Sequence, residues 1–237
     1  MQKLSSLSVF FPAFNEHATL PILLTEALKV FPQFAHKLEI LVIDDGSTDR
    51  SVQIVKKFAK HHPEVKIFSH PKNLGYGAAL RTGIRLAKYD WIFFTDADMQ
   101  FDFSDFAHLV KHAPLSSVII GWRKNRAEGI RRELNAKLFK IYIDLLFRLG
   151  VKDIDCAFKL FRREVVQSVQ LETTGAFTTS ELLYKLKKMG IKFVEEPVTH
   201  YPRRFGKPTG ANLGVIVKAV WEAFFAYLKM KLSSFKR

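Results

Sequence analysis

Residues 91–100 read WIFFTDADMQ: five residues suited to a buried strand run straight into Asp96-Ala97-Asp98. In an extended segment residues i and i+2 point to one side, so the two carboxylates are expected to aim at a common point. Without a cation between them they would repel. Mg²⁺ or Mn²⁺ is the expected occupant, because hard cations prefer carboxylate oxygens and keep coordination positions for phosphates. Gln100 continues the alternation and is expected to offer a third oxygen. The plainer alternative is a solvated turn whose aspartates cap the next helix.

Around this stretch, strand-like apolar runs recur at 7–11 (LSVFF), 38–43 (LEILVI), 65–69 (VKIFS) and 117–120 (SVII). Helical periodicity fills the intervals at about 17–30, 50–61, 75–88 and 103–112. Such alternation predicts an α/β fold with a mostly parallel, doubly wound sheet and helices on both faces. Ligands of these sheets sit at the carboxyl ends of the strands. The polar chemistry lies there: PAFNE (12–16), DDGSTD (44–49), HPKNLGYG (70–77) and DADMQ (96–100) follow the first four strands and are expected to form one contiguous pocket. Beyond 121 come a basic loop, GWRKNRAEGIRR (121–132), a long apolar-rich helix at about 133–149, a turn containing DIDCAFK (153–159) and a helix near 178–189.

Composition narrows the function classes. A chain of 237 residues that is 48% hydrophobic can bury a substantial core, as one large domain or two small ones. Its single cysteine, Cys156, leaves no internal disulfide and no cysteine zinc site, which fits a reducing compartment. The apolar run at the N-terminus is too short for a signal peptide, and no window is long and charge-free enough to span a bilayer. A formal charge of +14 asks for an acidic partner: nucleic acid, anionic lipid or a phosphorylated substrate. With no zinc finger and no RNP-like aromatic motif, nucleic acid falls behind the other two. The absence of GxxxxGK[ST] argues against Walker-type phosphoryl transfer.

The remaining exits have paired readings. Asn15 could cap a helix beginning near 16, while Pro12, Phe14 and Glu16 could wall a nucleobase. Ser47 or Asp49 could cap the next helix and Gly46 make the turn, whereas Asp44 and Asp45 together suggest a base or ribose contact. Gly75 and Gly77 stand at a helix start, where the backbone can approach an anion closely. Cys156 reads as a small residue near the pocket rather than a nucleophile. His61 and His62 read as surface residues, and His200 as a weak acceptor-side candidate.

In this order and at these intervals, PAFNE, DDGSTD, NLGYGAALRTG and TDADMQ resemble the signature of family 2 glycosyltransferases with the GT-A fold. Downstream, GWR, RRELNAKLF, KDIDCAFKLFRR and EEPVTHYPRRFGKPTG are similar to the branch that includes dolichyl-phosphate mannose synthase and bacterial polyprenyl-phosphate sugar transferases, over about residues 7–212. The resemblance implies a GT-A (Rossmann-like) domain over 1–212, followed by a C-terminal amphipathic helix over 213–237, packed or membrane-interfacial. It implies a GDP- or UDP-sugar held by Pro12, Phe14, Glu16, Ile43, Asp44, Asp45, Asp96, Ala97, Asp98, Arg123 and Lys207. Asp96, Asp98 and Gln100 match the metal-binding DxDxQ, and Asp98, Arg123, Arg131 and Arg203 take the catalytic positions. Arg131 or Arg132, Asp153 and Arg203 fall on the acceptor side. Two departures leave the donor sugar open: the pattern DPxSGF is DIDCAF here, and the lysine after the RxxG element is Thr209, with Lys207 nearby.

The implied reaction is inverting transfer to a polyprenyl phosphate. A phosphate acceptor is already anionic and needs no general base, and basic residues crowd the acceptor-side segments. A hydroxyl acceptor would need a base, for which Asp153, Asp155 and Glu181 are the candidates. Val217, Val220, Trp221, Phe224, Leu228 and Leu232 recur at helical spacing among lysines, and Phe139, Tyr142 and Leu146 with Lys140 and Arg148 form a second such group. The expected location is therefore cytoplasmic, peripheral on the cytoplasmic face of a membrane. The competing readings are a soluble transferase acting on a sugar hydroxyl and a non-catalytic nucleotide-sugar or polyanion-binding protein.

Overall fold

The computed structural model describes residues 3–124, 129–206 and 213–234, with side chains described for all of these except 129–134, 213, 215, 216 and 230–234. Seven strands, β1 (Leu7–Ala13), β2 (Leu38–Asp44), β3 (Val65–Ser69), β4 (Trp91–Thr95), β5 (Val118–Arg123), β6 (Phe158–Arg162) and β7 (Val194–Val198), form one sheet in the order β3-β2-β1-β4-β6-β5-β7. The helices are α1 (Leu20–Val30), α2 (Ser51–His61), α3 (Tyr76–Leu86), α4 (Phe106–Val110), α5 (Gly129–Phe147), α6 (Arg163–Gln167), α7 (Thr178–Lys188) and α8 (Leu213–Ser234).

β1 to β4 pair in parallel, as the alternating pattern predicts, with Val9 between Ile40 on one side and Phe93 on the other. Strands covered on both faces read as continuous apolar runs, and all seven residues of β1 are buried. Alternate residues of β4 feed two aromatic layers. Phe93 lies 4.7 Å from both Phe106 and Phe158, while Phe94 stacks 5.4 Å from Phe10 on the opposite face. Gly83 of α3 sits directly on the Phe10 ring, where a Cβ would approach to 2.3 Å. Pro12 falls beyond the last β1–β4 pair, Phe10↔Phe94, where a residue without an N–H is tolerated.

Two strands depart from the expectation. Residues 153–159 do not form only a turn: the chain turns at 154–155 and then enters β6, which runs antiparallel between β4 and β5. Lys159 in the middle of β6 breaks the apolar pattern that would have marked a strand. β7 was hidden by Glu195, Glu196 and Pro197, residue types that a sheet edge accepts because one side of its ladder is unpaired. The stretch 103–112 is a short 3₁₀ turn at Phe103–Asp105 followed by α4 rather than one helix. No helix among the described residues is long and apolar enough to cross a membrane.

Candidate active site

The β1 and β2 exits are joined residue by residue. The Asp45 N–H donates to the Ala13 carbonyl, the Asn15 N–H to Ser47 Oγ, the Thr48 N–H to Asn15 Oδ1, and the Glu16 N–H to Ser51 Oγ. Asn15 therefore does not cap a helix at 16. It adopts φ 56°, a conformation asparagine tolerates, and α1 starts four residues later. Thr19 closes the turn instead, its hydroxyl donating to the Glu16 carboxylate at 2.7 Å. On this joined wall Phe14 is 37% exposed, which leaves a ring face for a planar ligand. Pro12, Ile43, Asp44 and Asp45 are buried beside it.

Asp45 is saturated by the protein. It accepts from the Leu74 and Gly75 N–H groups at 3.0 and 2.8 Å, and its Oδ1 lies 2.7 Å from His70 Nδ1. The anion at the start of α3 is thus this side chain. Gly75 and Gly77 serve packing: a Cβ on Gly77 would fall 1.9 Å from Thr178 Oγ1, and one on Gly75 2.7 Å from the Thr174 carbonyl. Asp44 forms a local turn, accepting from the Ser47 N–H at 3.2 Å.

At the β4 exit the strand stops at Thr95, and 96–99 form a turn with Met99 at φ 59°. Asp96 and Asp98 are brought together by that turn and not by an extended alternation. Asp96 Oδ1 is inaccessible and has no hydrogen-bond partner. Burial and the neighbouring Asp98 charge hold the Asp96 carboxyl well above the usual carboxylate range, against the Tyr76 hydroxyl, Arg123 and Lys159, which pull it down. The Tyr76 phenol is itself raised by burial and by the facing Asp96 and Asp98. Gln100 is buried beside the pair and held by its two nitrogens. Its carboxamide Nε2 donates to the Tyr201 carbonyl at 3.0 Å and its N–H to Asp98 Oδ1 at 3.2 Å.

That Gln100–Tyr201 contact is one of several that clamp 199–203 onto 100–105. The Tyr201 N–H donates to the Gln100 carbonyl, the Tyr201 hydroxyl to Asp102, and the Thr199 N–H to Asp105. The clamp delivers Arg203 to the strand ends, where it pairs with Glu16 and stands 3.5 Å from Asp98 Oδ2. Gly206 explains the RxxG spacing: it has φ 72°, and a Cβ there would crowd the Arg203 guanidinium at 3.1 Å. Arg123 is held by Asp153 through a fork, Nε to Oδ2 at 2.7 Å and Nη2 to Oδ1 at 2.9 Å. Beside that fork a cleft of about 200 Å³ is lined by Trp122, Lys124, Lys137, Lys140 and Lys152.

Arg131 and Arg132 have side chains outside the described residues, as does the whole of Lys207. Ala97 is buried. Glu181 holds the 172–173 backbone through both oxygens and accepts from Lys185 at 2.7 Å, so it has no lone pair directed at a substrate. Cys156 is buried and its thiol is pushed up to about 12, chiefly by burial, which suits a packed residue and not a nucleophile. His200 is buried against Phe101, with ring centroids 5.1 Å apart. Two residues were missed. Tyr76 stood in NLGYGAALRTG, where the glycines drew attention, and Lys159 ended DIDCAFK. Lys159 is fully buried and donates to the Ile154 and Cys156 carbonyls, fixing the turn that carries Asp153.

Among the described residues no group of three or more His, Cys, Asp or Glu side chains is arranged to hold a metal ion. The two β4-exit carboxylates with an orphaned oxygen still suit a hard cation that draws its other ligands from water and phosphate. The carboxylate pair, the clamped arginine and the aromatic wall thus meet at the carboxyl edge of the sheet, where α/β sheets of this kind bind their ligands.

The family model for glycosyl transferase family 2 matches residues 8–170, and the chain belongs to that family. It is 29% identical over 209 residues to the dolichyl-phosphate beta-glucosyltransferase ALG5A of Trichomonas vaginalis, covering 81% of this chain and 64% of that protein. It is 30% identical over 206 residues to the undecaprenyl-phosphate 4-deoxy-4-formamido-L-arabinose transferase of Pectobacterium carotovorum, covering 86% of this chain and 62% of the relative. The chain therefore spans less than two thirds of the length of these curated relatives. Its fold is that of the glucosyl-3-phosphoglycerate synthase of Mycobacterium tuberculosis, with a TM-score of 0.74 at 19% identity over 94% of this chain and 80% of the other. That synthase has also been solved with Mg²⁺ and UDP, and with Mn²⁺, UDP-glucose and phosphoglyceric acid.

Proposed function

We propose that this chain is an inverting, metal-dependent glycosyltransferase that moves a sugar from a GDP- or UDP-sugar to a polyprenyl phosphate, working as a peripheral protein at the cytoplasmic face of a membrane. The observation that carries this reading is the line Glu16–Arg203–Asp98 across the β1 and β4 exits, beside a carboxylate with an unpartnered oxygen. Both curated relatives described above are named for transfer to a lipid phosphate, which supports the acceptor class.

In the transfer, an acceptor phosphate oxygen forms a bond to the anomeric carbon as the bond from that carbon to the diphosphate oxygen breaks. The electron pair leaves on the nucleoside diphosphate, and attack from the opposite side inverts the centre. Phe14 offers a stacking face for the base. Arg203, oriented by Glu16 and by its Nε donation to the Phe205 carbonyl at 2.6 Å, places positive charge beside the β4 carboxylates, where the leaving diphosphate is expected. A divalent ion held by Asp96 and Asp98 would neutralise the same developing charge. Arg123, committed to Asp153, contributes field and rigidity to the lysine-lined cleft, which is where the acceptor phosphate is assigned. No base is required, because a phosphate monoester with a second pKa near roughly 6 is already anionic. Of the three candidate bases, Asp153 and Glu181 use both carboxylate oxygens within the fold, and Asp155 is exposed at the 154–155 turn.

The test is nucleoside diphosphate release from UDP- and GDP-sugars with Mn²⁺ or Mg²⁺, with a short-chain polyprenyl phosphate, with a free phosphorylated acceptor such as phosphoglyceric acid, or with none. Release that requires both the lipid phosphate and the metal is the expected result. Release with only the free acceptor, or none under any condition, overturns the reading.

A further inference from the structure

Helices α5 and α8 lie against each other, joined where the Tyr142 hydroxyl donates to the Val220 carbonyl. Each buries one side in the body of the protein, α5 through Ile143 and Phe147 and α8 through Ala219 and Ala223. The opposite sides are apolar as well. On α5, Leu138, Ile141 and Leu145 recur at i, i+3 and i+7 and are 55–78% exposed. On α8, Trp221 and Phe225 are 55% and 61% exposed, flanked by Val217, Phe224 and Leu228. Because the buried sides point into the same core, the exposed stripes are neighbours on one outer surface.

Charge decides what covers that surface. By helical spacing the described cations fall on its two outer flanks, Lys137, Lys140 and Arg148 on the edge of α5 away from α8 and Lys218 and Lys229 on the edge of α8 away from α5, with Asp144 and Glu222 paired among them. Lys218 and Lys229 are 61% and 71% exposed, and Lys229 pairs with Glu172 of the body. Among the described residues of both helices, no Asp or Glu belongs to the exposed class. An apolar centre rimmed by cations complements an anionic bilayer, whose acyl boundary takes the aromatic and aliphatic side chains and whose headgroups meet the lysines. A second copy of this chain would set lysine rims against each other, and among the described residues of both helices the acids, Asp144 and Glu222, already face lysines of their own helices.

We infer that α5 and α8 together form a two-helix docking face for an anionic lipid surface. This deepens the proposed function and rests on it for its purpose. Lys137 and Lys140 line both the rim of the face and the acceptor-side cleft, so a lipid phosphate at the bilayer surface would enter the cleft from the docked edge.

The experiment is sedimentation of the full chain with phosphatidylcholine vesicles and with vesicles containing about 30% phosphatidylglycerol, in low and high salt. The expected result is binding to the anionic vesicles that falls about tenfold without phosphatidylglycerol or in high salt. W221E/F225E and, separately, I141E should each weaken it at least about tenfold with unchanged circular dichroism. Wild-type protein that stays in the supernatant overturns the inference. So do variants that bind like wild type, or a concentration-dependent dimer that W221E/F225E converts to monomer. Turnover of a water-soluble short-chain acceptor keeps the two readings apart. W221E/F225E should preserve it, and vesicle binding by a protein that transfers to no lipid phosphate would sink the reaction while leaving the docking face in place.

Discussion

Two pairs of aspartates end two strands of the same sheet, and the protein treats them oppositely. At the β2 exit Asp45 takes two backbone N–H groups and faces His70, and Asp44 takes a third N–H. At the β4 exit Asp96 keeps an oxygen with no partner, and Asp98 has a long 3.2 Å backbone contact and an arginine at 3.5 Å. Both pairs stand at the carboxyl edge of the sheet, yet Asp44 and Asp45 spend their oxygens building the loop, while Asp96 keeps one oxygen that nothing in the fold satisfies. A saturated carboxylate is a structural element, and an unsaturated buried one is held ready for a ligand, since burying it otherwise carries only a cost.

The largest effect that would break this contrast is on turnover. Asp98→Ala should lower metal-dependent transfer by at least about 10²-fold, the scale of losing one electrostatic element around a developing charge, while thermal unfolding changes little. Retained turnover would remove the β4 pair from the chemistry. Arg203→Ala comes next: transfer should drop by about 10²-fold, and stability should fall by roughly 1–3 kcal/mol because Glu16 is left buried without its cation. Arg203→Lys should not restore the rate, since a single ammonium cannot meet Glu16, Asp98 and the Phe205 carbonyl together.

The mirror experiment is at the other strand. Asp45→Ala leaves the Leu74 and Gly75 N–H groups unpaired, and should cost about 2–4 kcal/mol in urea unfolding at unchanged m-value. If Asp45→Ala instead leaves stability intact and removes donor binding, the two strand ends are alike and the contrast fails.

How far these roles were legible follows from the same physics. The parallel half of the sheet was readable because strands buried on both faces are written as apolar runs, and VFF, ILVI and WIFF are such runs. β6 and β7 were not, because a buried lysine and an edge proline with two glutamates break that signature for reasons only the neighbours reveal. Residue type marked Asp96, Asp98 and Glu16 as site candidates and the family resemblance added Arg203, but residue type could not separate Asp45 from Asp96: both are aspartates after a strand, and the difference is the number of N–H groups within reach. The reading of Gly75 and Gly77 as a place of close backbone approach to an anion was right about the anion, which is the Asp45 carboxylate, but could not say that it comes from the protein itself. A glycine also states that a Cβ is unwelcome, and here the neighbours it makes room for are Thr174 and Thr178. Tyr76, one residue between them, faces the Asp96 carboxylate from a helix start whose sequence gives no sign of that contact.

The smallest expected effect is the sharpest, because it turns the unsatisfied carboxylate into a signature in the ligand-free protein. In the fold Asp96 ionises less readily than in the unfolded chain, so the native state keeps a proton that the unfolded state has lost. Stability therefore falls as pH rises from the ordinary carboxylate range through the raised native value, and the whole penalty is present above it. Asp96→Asn removes the charge. At pH 8 without metal it should raise the melting temperature by about 2–4 °C, equivalent to roughly 1 kcal/mol in a domain of this size, and at pH 4 it should change nothing. Mn²⁺ should stabilise the wild type at pH 8 and leave Asp96→Asn nearly unmoved, since an ion that binds only the folded state adds stability in proportion to its affinity. A wild type whose stability shows neither the pH slope nor the metal response would mean that Asp96 is as well satisfied as Asp45, and that the two strand ends differ in sequence alone.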